Sequence, residues 1–149
     1  MENLTQTITA EIKMAMVAKD SLRLNTLRML KSAIGYAAIE ASKDELSDPE
    51  IISVIQKEAK KRKDAHEQFL KGGRAEQAEQ EAQELKILES FLPTPLTPEE
   101  LEEVVRKAIT EVGATSKKEM GQVIKTVQQS ASGRADGKAI SQMVGKLLS

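Results

Sequence analysis

Apolar positions recur every three or four residues along almost the whole chain, and no stretch alternates Val, Ile or Thr with polar residues as a half-buried strand would. The pattern therefore predicts helices throughout. In the first, about Leu4 to Ala18, the residues Leu4, Ile8, Ile12 and Ala15 share one stripe. Asp20 is placed to cap a second helix, where Leu24, Leu27, Leu30, Ile34 and Ala37 keep the period to about Ala41 and Arg23, Arg28 and Lys31 lie outward. Ser47-Asp48-Pro49-Glu50 is a capping box with proline and acids in the first turn, so a third helix starts there and stops at Gly72-Gly73. Its seam reads Ile52, Ile55, Ala59, Arg62, His66, Phe69, an apolar stripe interrupted by two polar residues. A fourth helix, about Arg74 to Phe91, has a thin stripe of Ala75, Ala78, Ala82, Leu85 and Leu88 among many Glu and Gln.

Between Phe91 and Pro98 stand Pro93, Pro95 and Pro98, which exclude helix and place a domain boundary. Thr97-Pro98-Glu99-Glu100 is a second capping box, opening a helix with Leu101, Val104, Val105, Ala108 and Val112 inward and Gly113 as its stop. Ser116-Lys117-Lys118-Glu119 is a third, ahead of a short helix using Met120, Val123, Ile124 and Val127. After Gly133-Arg134-Ala135-Asp136-Gly137 a last helix uses Ile140, Met143, Val144 and Leu147. The predicted fold is all-α, with a four-helix lobe over 1–92 and a three-helix lobe over 96–149.

The chain has 149 residues, 40% of them hydrophobic and 30% charged, enough apolar surface to fold without disulfides. Its net charge of −1 gives no overall attraction to nucleic acid or anionic lipid, so any such binding must be local. With no cysteine and one histidine, thiol catalysis, iron–sulfur clusters and cysteine zinc sites are excluded, and neither metal nor cofactor is expected. The start MENLTQT has neither a basic region nor an apolar run, and no stretch approaches the roughly 18 to 20 apolar residues of a membrane span. A cytoplasmic protein, not integral to a membrane, is the expectation.

Charge is uneven along the chain. Residues 104–149 hold eight bases against three acids, Glu111, Glu119 and Asp136, so that segment is +5 and could attract a polyanion if its bases share a face. Gly133-Arg134-Ala135-Asp136-Gly137-Lys138 admits two readings: a glycine-flanked anion cradle, or a turn in which Asp136 caps the last helix. Lys57 to Lys63 carry five bases and one acid, either a further phosphate contact or a solvated helix face. His66 has no Ser or Thr motif beside it that would mark a nucleophile, and the carboxylates sit where caps and exposed faces put them, so no catalytic residue is assigned.

Four stretches together resemble the GatB/YqeY family, a bacterial-type domain that also forms the tail of the B subunit of aspartyl/glutamyl-tRNA amidotransferase. They are Arg23-Leu24-Asn25-Thr26-Leu27-Arg28-Met29-Leu30-Lys31-Ser32-Ala33-Ile34, Phe91-Leu92-Pro93, Lys118-Glu119-Met120-Gly121-Gln122-Val123-Ile124 and Gly133 to Lys138. The resemblance covers nearly the whole chain and implies two helical subdomains and a link to tRNA. It implies the tail alone: the carbon–nitrogen ligase chemistry of the amidotransferase, with glutamine as amide donor, belongs to domains this chain lacks. Gln122 and Ser132 stand where members of the family often have lysine, which lowers the charge at the expected RNA face. The expectation is a non-catalytic tRNA-binding accessory protein using Lys117, Lys118, Lys125, Arg134 and Lys138. With so few aromatics, base stacking is not the mode of recognition. The alternative is a helical protein-interaction module in which Arg62 and His66 meet a partner helix or a second copy.

Overall fold

The computed structural model describes residues 3–148 and contains seven α-helices and no strand among them. The chain divides into two compact units, one ending at Leu92 and the other starting at Pro93.

The first unit holds α1 (Leu4–Ala18), α2 (Ser21–Glu40), α3 (Asp48–Lys71) and α4 (Ala75–Glu89). Caps set these boundaries. The Asp20 carboxylate accepts from the Arg23 amide at 3.1 Å, and Ser47 and Glu50 close the expected reciprocal box at the start of α3. The Lys43 ammonium, 2.8 Å from Glu50, together with the Ser47 amide and hydroxyl, holds the Glu50 carboxyl down at about 2. A fourth capping box, Asn3 with Gln6, opens α1, where the sequence reading saw only periodicity. Gly73, at φ 72, makes the left-handed step between α3 and α4.

Ile8, Leu30, Ile51, Ile55 and Leu88 form the centre of the first core, with Phe91 and Leu92 packed against it. In the first turn of α3 it is Ile51 that is fully buried, in line with Ile55, whereas Ile52, which the periodicity places on the seam, is half-buried. On α4 the expected alanine stripe is displaced: Ala75 is exposed, and Glu84, 7% exposed, lies on the buried line between Ala78 and Leu88. The physical reason is a charge on α3 that needs an acid opposite it.

The second unit holds α5 (Pro98–Val112), a single 3-10 turn (Lys117–Glu119), α6 (Met120–Ala131) and α7 (Gly137–Leu147). Val105, Val123, Val127, Ile140 and Val144 are its sealed centre, close to the stripes that periodicity predicts. Thr97 caps α5, Gly113 ends it at φ 72, and Ser116 caps the 3-10 turn instead of opening a longer helix.

A candidate nucleic-acid face and a buried polar seam

The 3-10 turn exists because Glu119 reaches back to the amides of Thr115 (2.6 Å) and Ser116 (3.2 Å) while Ser116 Oγ accepts from the Lys118 amide (3.4 Å). That geometry leaves the Lys117 and Lys118 side chains exposed. Lys125 on α6 and Lys138 in the first turn of α7 are exposed as well, and none of these four lysines is in an ion pair among the described residues.

Arg134 is placed differently. Its Nε donates to the Thr94 carbonyl at 2.8 Å, its own carbonyl accepts from the Leu96 amide at 2.8 Å, and its Nη2 lies 3.9 Å from Glu100. It latches the proline segment to the α6–α7 turn. Asp136 caps α7, accepting from the Ala139 amide at 2.7 Å, and Ser132 (φ 46) and Gly133 (φ 85) make the left-handed corner. Of the two readings of the Gly133–Lys138 motif, these bonds are those of a helix–helix turn.

The local charge also changes once the unit is whole. From Pro93 onward eight bases face seven acids, a net +1, because Glu99, Glu100, Glu102 and Glu103 open α5. Several of the acids are committed: Glu102 to Arg106 at 2.9 Å, Glu100 to the Thr97 cap and Arg134, Glu119 and Asp136 to backbone amides. Those Thr97 hydrogen bonds, with the Arg134 charge nearby, hold the Glu100 carboxyl below its ordinary range.

In the first unit, Arg62 and His66 turn their polar atoms inward between α3 and α4. Arg62 Nε lies 3.2 Å from Glu84 and 3.7 Å from Glu81, and its Nη2 reaches the Met29 sulfur at 3.7 Å. Arg62 Nε and Glu81 Oε2 are buried without an aligned hydrogen bond, so the contact is one of charge more than of directed bonding. Burial and the neighbouring Glu84 carboxylate push the Glu81 carboxyl up, against the pull of Arg62. His66 Nδ1 is 2.8 Å from the Ala78 carbonyl, a bond that needs the proton on Nδ1. The acidic half of this seam escaped the sequence reading, although the three-residue spacing of Glu81 and Glu84 across from Arg62 was its signal.

No group of three or more His, Cys, Asp or Glu able to hold a metal occurs among the described residues, and no described helix is long and apolar enough to cross a membrane.

Residues 5–148 match the family described as Yqey-like protein. The chain belongs to that family. Among curated proteins it is 35% identical over 104 residues to "Altered inheritance of mitochondria protein 41, mitochondrial" of Lachancea thermotolerans, covering 68% of this chain and 56% of that one. The protein of the same name from Vanderwaltozyma polyspora is 31% identical over 104 residues, with the same coverage. That of Pyrenophora tritici-repentis is 29% identical over 143 residues, covering 93% of this chain and 77% of that one. The chain thus spans little more than half the length of the first two. These names overturn the expectation of a cytoplasmic protein, since the relatives are called mitochondrial, and their fungal sources do not support the bacterial-type label. The absence of cysteine and the polar start at Met1 are the grounds for that placement, and neither distinguishes the cytoplasm from the mitochondrion.

Proposed function

We propose that this Yqey-like chain is a non-catalytic accessory protein that binds tRNA through the phosphates, using Lys117, Lys118, Lys125 and Lys138, with Arg134 at the edge of the site. The supporting observation is the contrast between commitments in the second unit: the four lysines are exposed and in no ion pair among the described residues, whereas Glu119 and Asp136, the acids nearest them in sequence, are bonded to backbone amides. The resemblance to the amidotransferase tail supplies the choice of tRNA over other polyanions. Arg134 acts first as a latch and only through its remaining guanidinium edge as a cation.

Three to five phosphate contacts give a slope of log affinity against log salt of roughly −2 to −4. Filter binding of bulk tRNA at several salt concentrations measures it, and the absence of affinity at low salt would remove this reading. The second reading, a protein-interaction module at Arg62 and His66, has less to recommend it there, because both side chains spend polar atoms inside the unit.

A further inference from the structure

Among the described residues seven large apolar side chains stand exposed, and six of them, Met14, Met16, Val17, Met29, Tyr36 and Ile39, belong to α1 and α2. Scattered apolar residues on a surface are ordinary; this concentration on one helical pair is not. On α2 the pattern is regular. Met29, Ser32, Tyr36 and Ile39 follow at spacings of three, four and three, so they share one stripe, and Tyr36 and Ile39 are 73% and 74% exposed.

Gly35 lies beside that stripe in mid-helix. A Cβ there would meet nothing within 4 Å, and its φ is not in the left-handed region. Alanine would fit and would strengthen the helix, so nothing within the chain calls for glycine. What glycine and Ser32 provide is a notch flanked by Met29, Tyr36 and Ile39, into which another backbone can approach closely.

The charge around the stripe is mostly basic. From Glu11 to Glu40 the chain carries five bases and three acids; Asp20 is spent capping α2, and Glu40 stands at the far end of the stripe, beside Ile39. Arg23 is paired with Glu11 at 2.7 Å, while Arg28 and Lys31, on the notch side, are exposed and have no ion pair among the described residues.

We propose that the α2 face of Met29, Ser32, Gly35, Tyr36 and Ile39, flanked by Arg28 and Lys31, is the docking groove for an acidic amphipathic helix of another protein. The notch and the flexible methionine suit ridge-into-groove packing of a helix. A lipid surface has no use for a notch, the two exposed cations Arg28 and Lys31 call for acids on whatever covers the stripe, and three large apolar side chains add nothing to phosphate binding. The groove is about ten residues long, or about 15 Å, which matches three turns of a partner helix. It does not depend on the second unit, so it stands or falls separately from the tRNA reading.

The chain has one tyrosine and no tryptophan, so tyrosine fluorescence of the full chain reports on Tyr36 alone. The probe is a designed helical peptide of about 15 residues with a Leu/Ala inner face, Glu on both flanks and no aromatic residue. The expected result is a saturable change in Tyr36 emission, weakened at least tenfold by the joint change Arg28→Glu and Lys31→Glu with helicity by circular dichroism unchanged. Lys31→Ala alone should weaken it a few-fold, which serves should the double variant misfold. Gly35→Ala should raise the melting temperature of the free chain while weakening the peptide. No response to the peptide, an equal response to a Lys-flanked version, or insensitivity to the Arg28 and Lys31 changes would overturn the proposal. So would a response confined to phosphatidylglycerol-containing vesicles, to tRNA, or to the concentration of the chain itself.

Discussion

Arg62 Nε and Glu84 Oε2 meet at 3.2 Å between α3 and α4, with the two side chains only 13% and 10% exposed. Glu81, 3.7 Å from the same nitrogen, makes the group two carboxylates around one guanidinium. Removing the cation leaves buried acids without compensation, which is far costlier than the net worth of the pair itself. Arg62→Leu, alone or with His66→Leu, is therefore expected to destabilise the chain by about 3 to 5 kcal/mol in a urea titration. A loss under about 1 kcal/mol would mean the seam is open to solvent and available to a partner.

The same cluster sets a pH dependence. The Glu81 carboxyl is raised in the folded chain, so between the ordinary carboxylate range and its folded value the native state holds more protons than the unfolded one. Its contribution is complete at acid pH and is lost as pH rises through that window. Glu50 runs the other way: lowered to about 2, its contribution is present above the ordinary range and disappears as pH falls towards 2. Glu81→Gln should flatten the loss on the alkaline side and leave the acid side alone, while Glu50→Gln should do the reverse. Denaturant midpoints collected from pH 3 to 7 would separate the two.

Most of this architecture can be read from the chain because helix caps are local. Ser47 with Glu50, Thr97 with Glu100 and Ser116 with Glu119 each close a bond over three residues, and the helix or turn begins where that spacing says. The stripes of α5 to α7 are nearly as direct, since an amphipathic helix in a small unit has one way to face. What periodicity could not give are the contacts of high sequence separation. Arg134 and Thr94 are 40 residues apart, and Arg134 reads as a phosphate ligand until its bond to that carbonyl is known. Arg62 and Met29 are 33 apart, and Glu84 looks like a solvated residue until Arg62 is found opposite. The +5 of residues 104–149 misled in another way, because the segment was cut just after the four acids that open α5.

The latch has a consequence for fragment design. A fragment of residues 93–149 keeps Thr94 and Leu96, the two residues of the proline segment bonded to Arg134, together with the sealed core around Val105 and Val144. It should unfold cooperatively by circular dichroism, and a fragment starting at Thr97 should melt at a lower temperature. Helical signal without a cooperative transition in the longer fragment would show that the second unit does not stand by itself.

Arg134 also separates structure from binding. Arg134→Lys keeps a cation but loses the planar Nε donor to Thr94, whereas Lys125→Ala removes an exposed charge that is in no ion pair among the described residues. Arg134→Lys should therefore lower the melting temperature with little change in the salt slope of tRNA binding. Lys125→Ala should leave the melt unchanged and make the slope shallower by about 0.7 to 0.9, one phosphate contact. Equal effects of the two substitutions on binding would place the Arg134 guanidinium on the phosphate instead.

Gln122 offers the gain-of-function counterpart. It is exposed on α6 one turn before Lys125, a spacing that puts the two side chains on the same face, and the acid three residues before it, Glu119, is committed to the Thr115 and Ser116 amides. Since Gln122 already lies outside the core, Gln122→Lys should leave the thermal melt within about 0.5 kcal/mol of the original. If the α6 face is where the RNA lies, the added cation makes one more phosphate contact, which strengthens tRNA binding at low salt and steepens the salt slope by about 0.7 to 0.9. The matched control is Lys63→Glu on α3 of the first unit, an exposed site whose charge reversal should not alter the slope. Filter-binding titrations of both variants against bulk tRNA decide the matter: a steeper slope for Gln122→Lys alone assigns the contact to α6, and an unchanged slope for Gln122→Lys removes that helix from the interface.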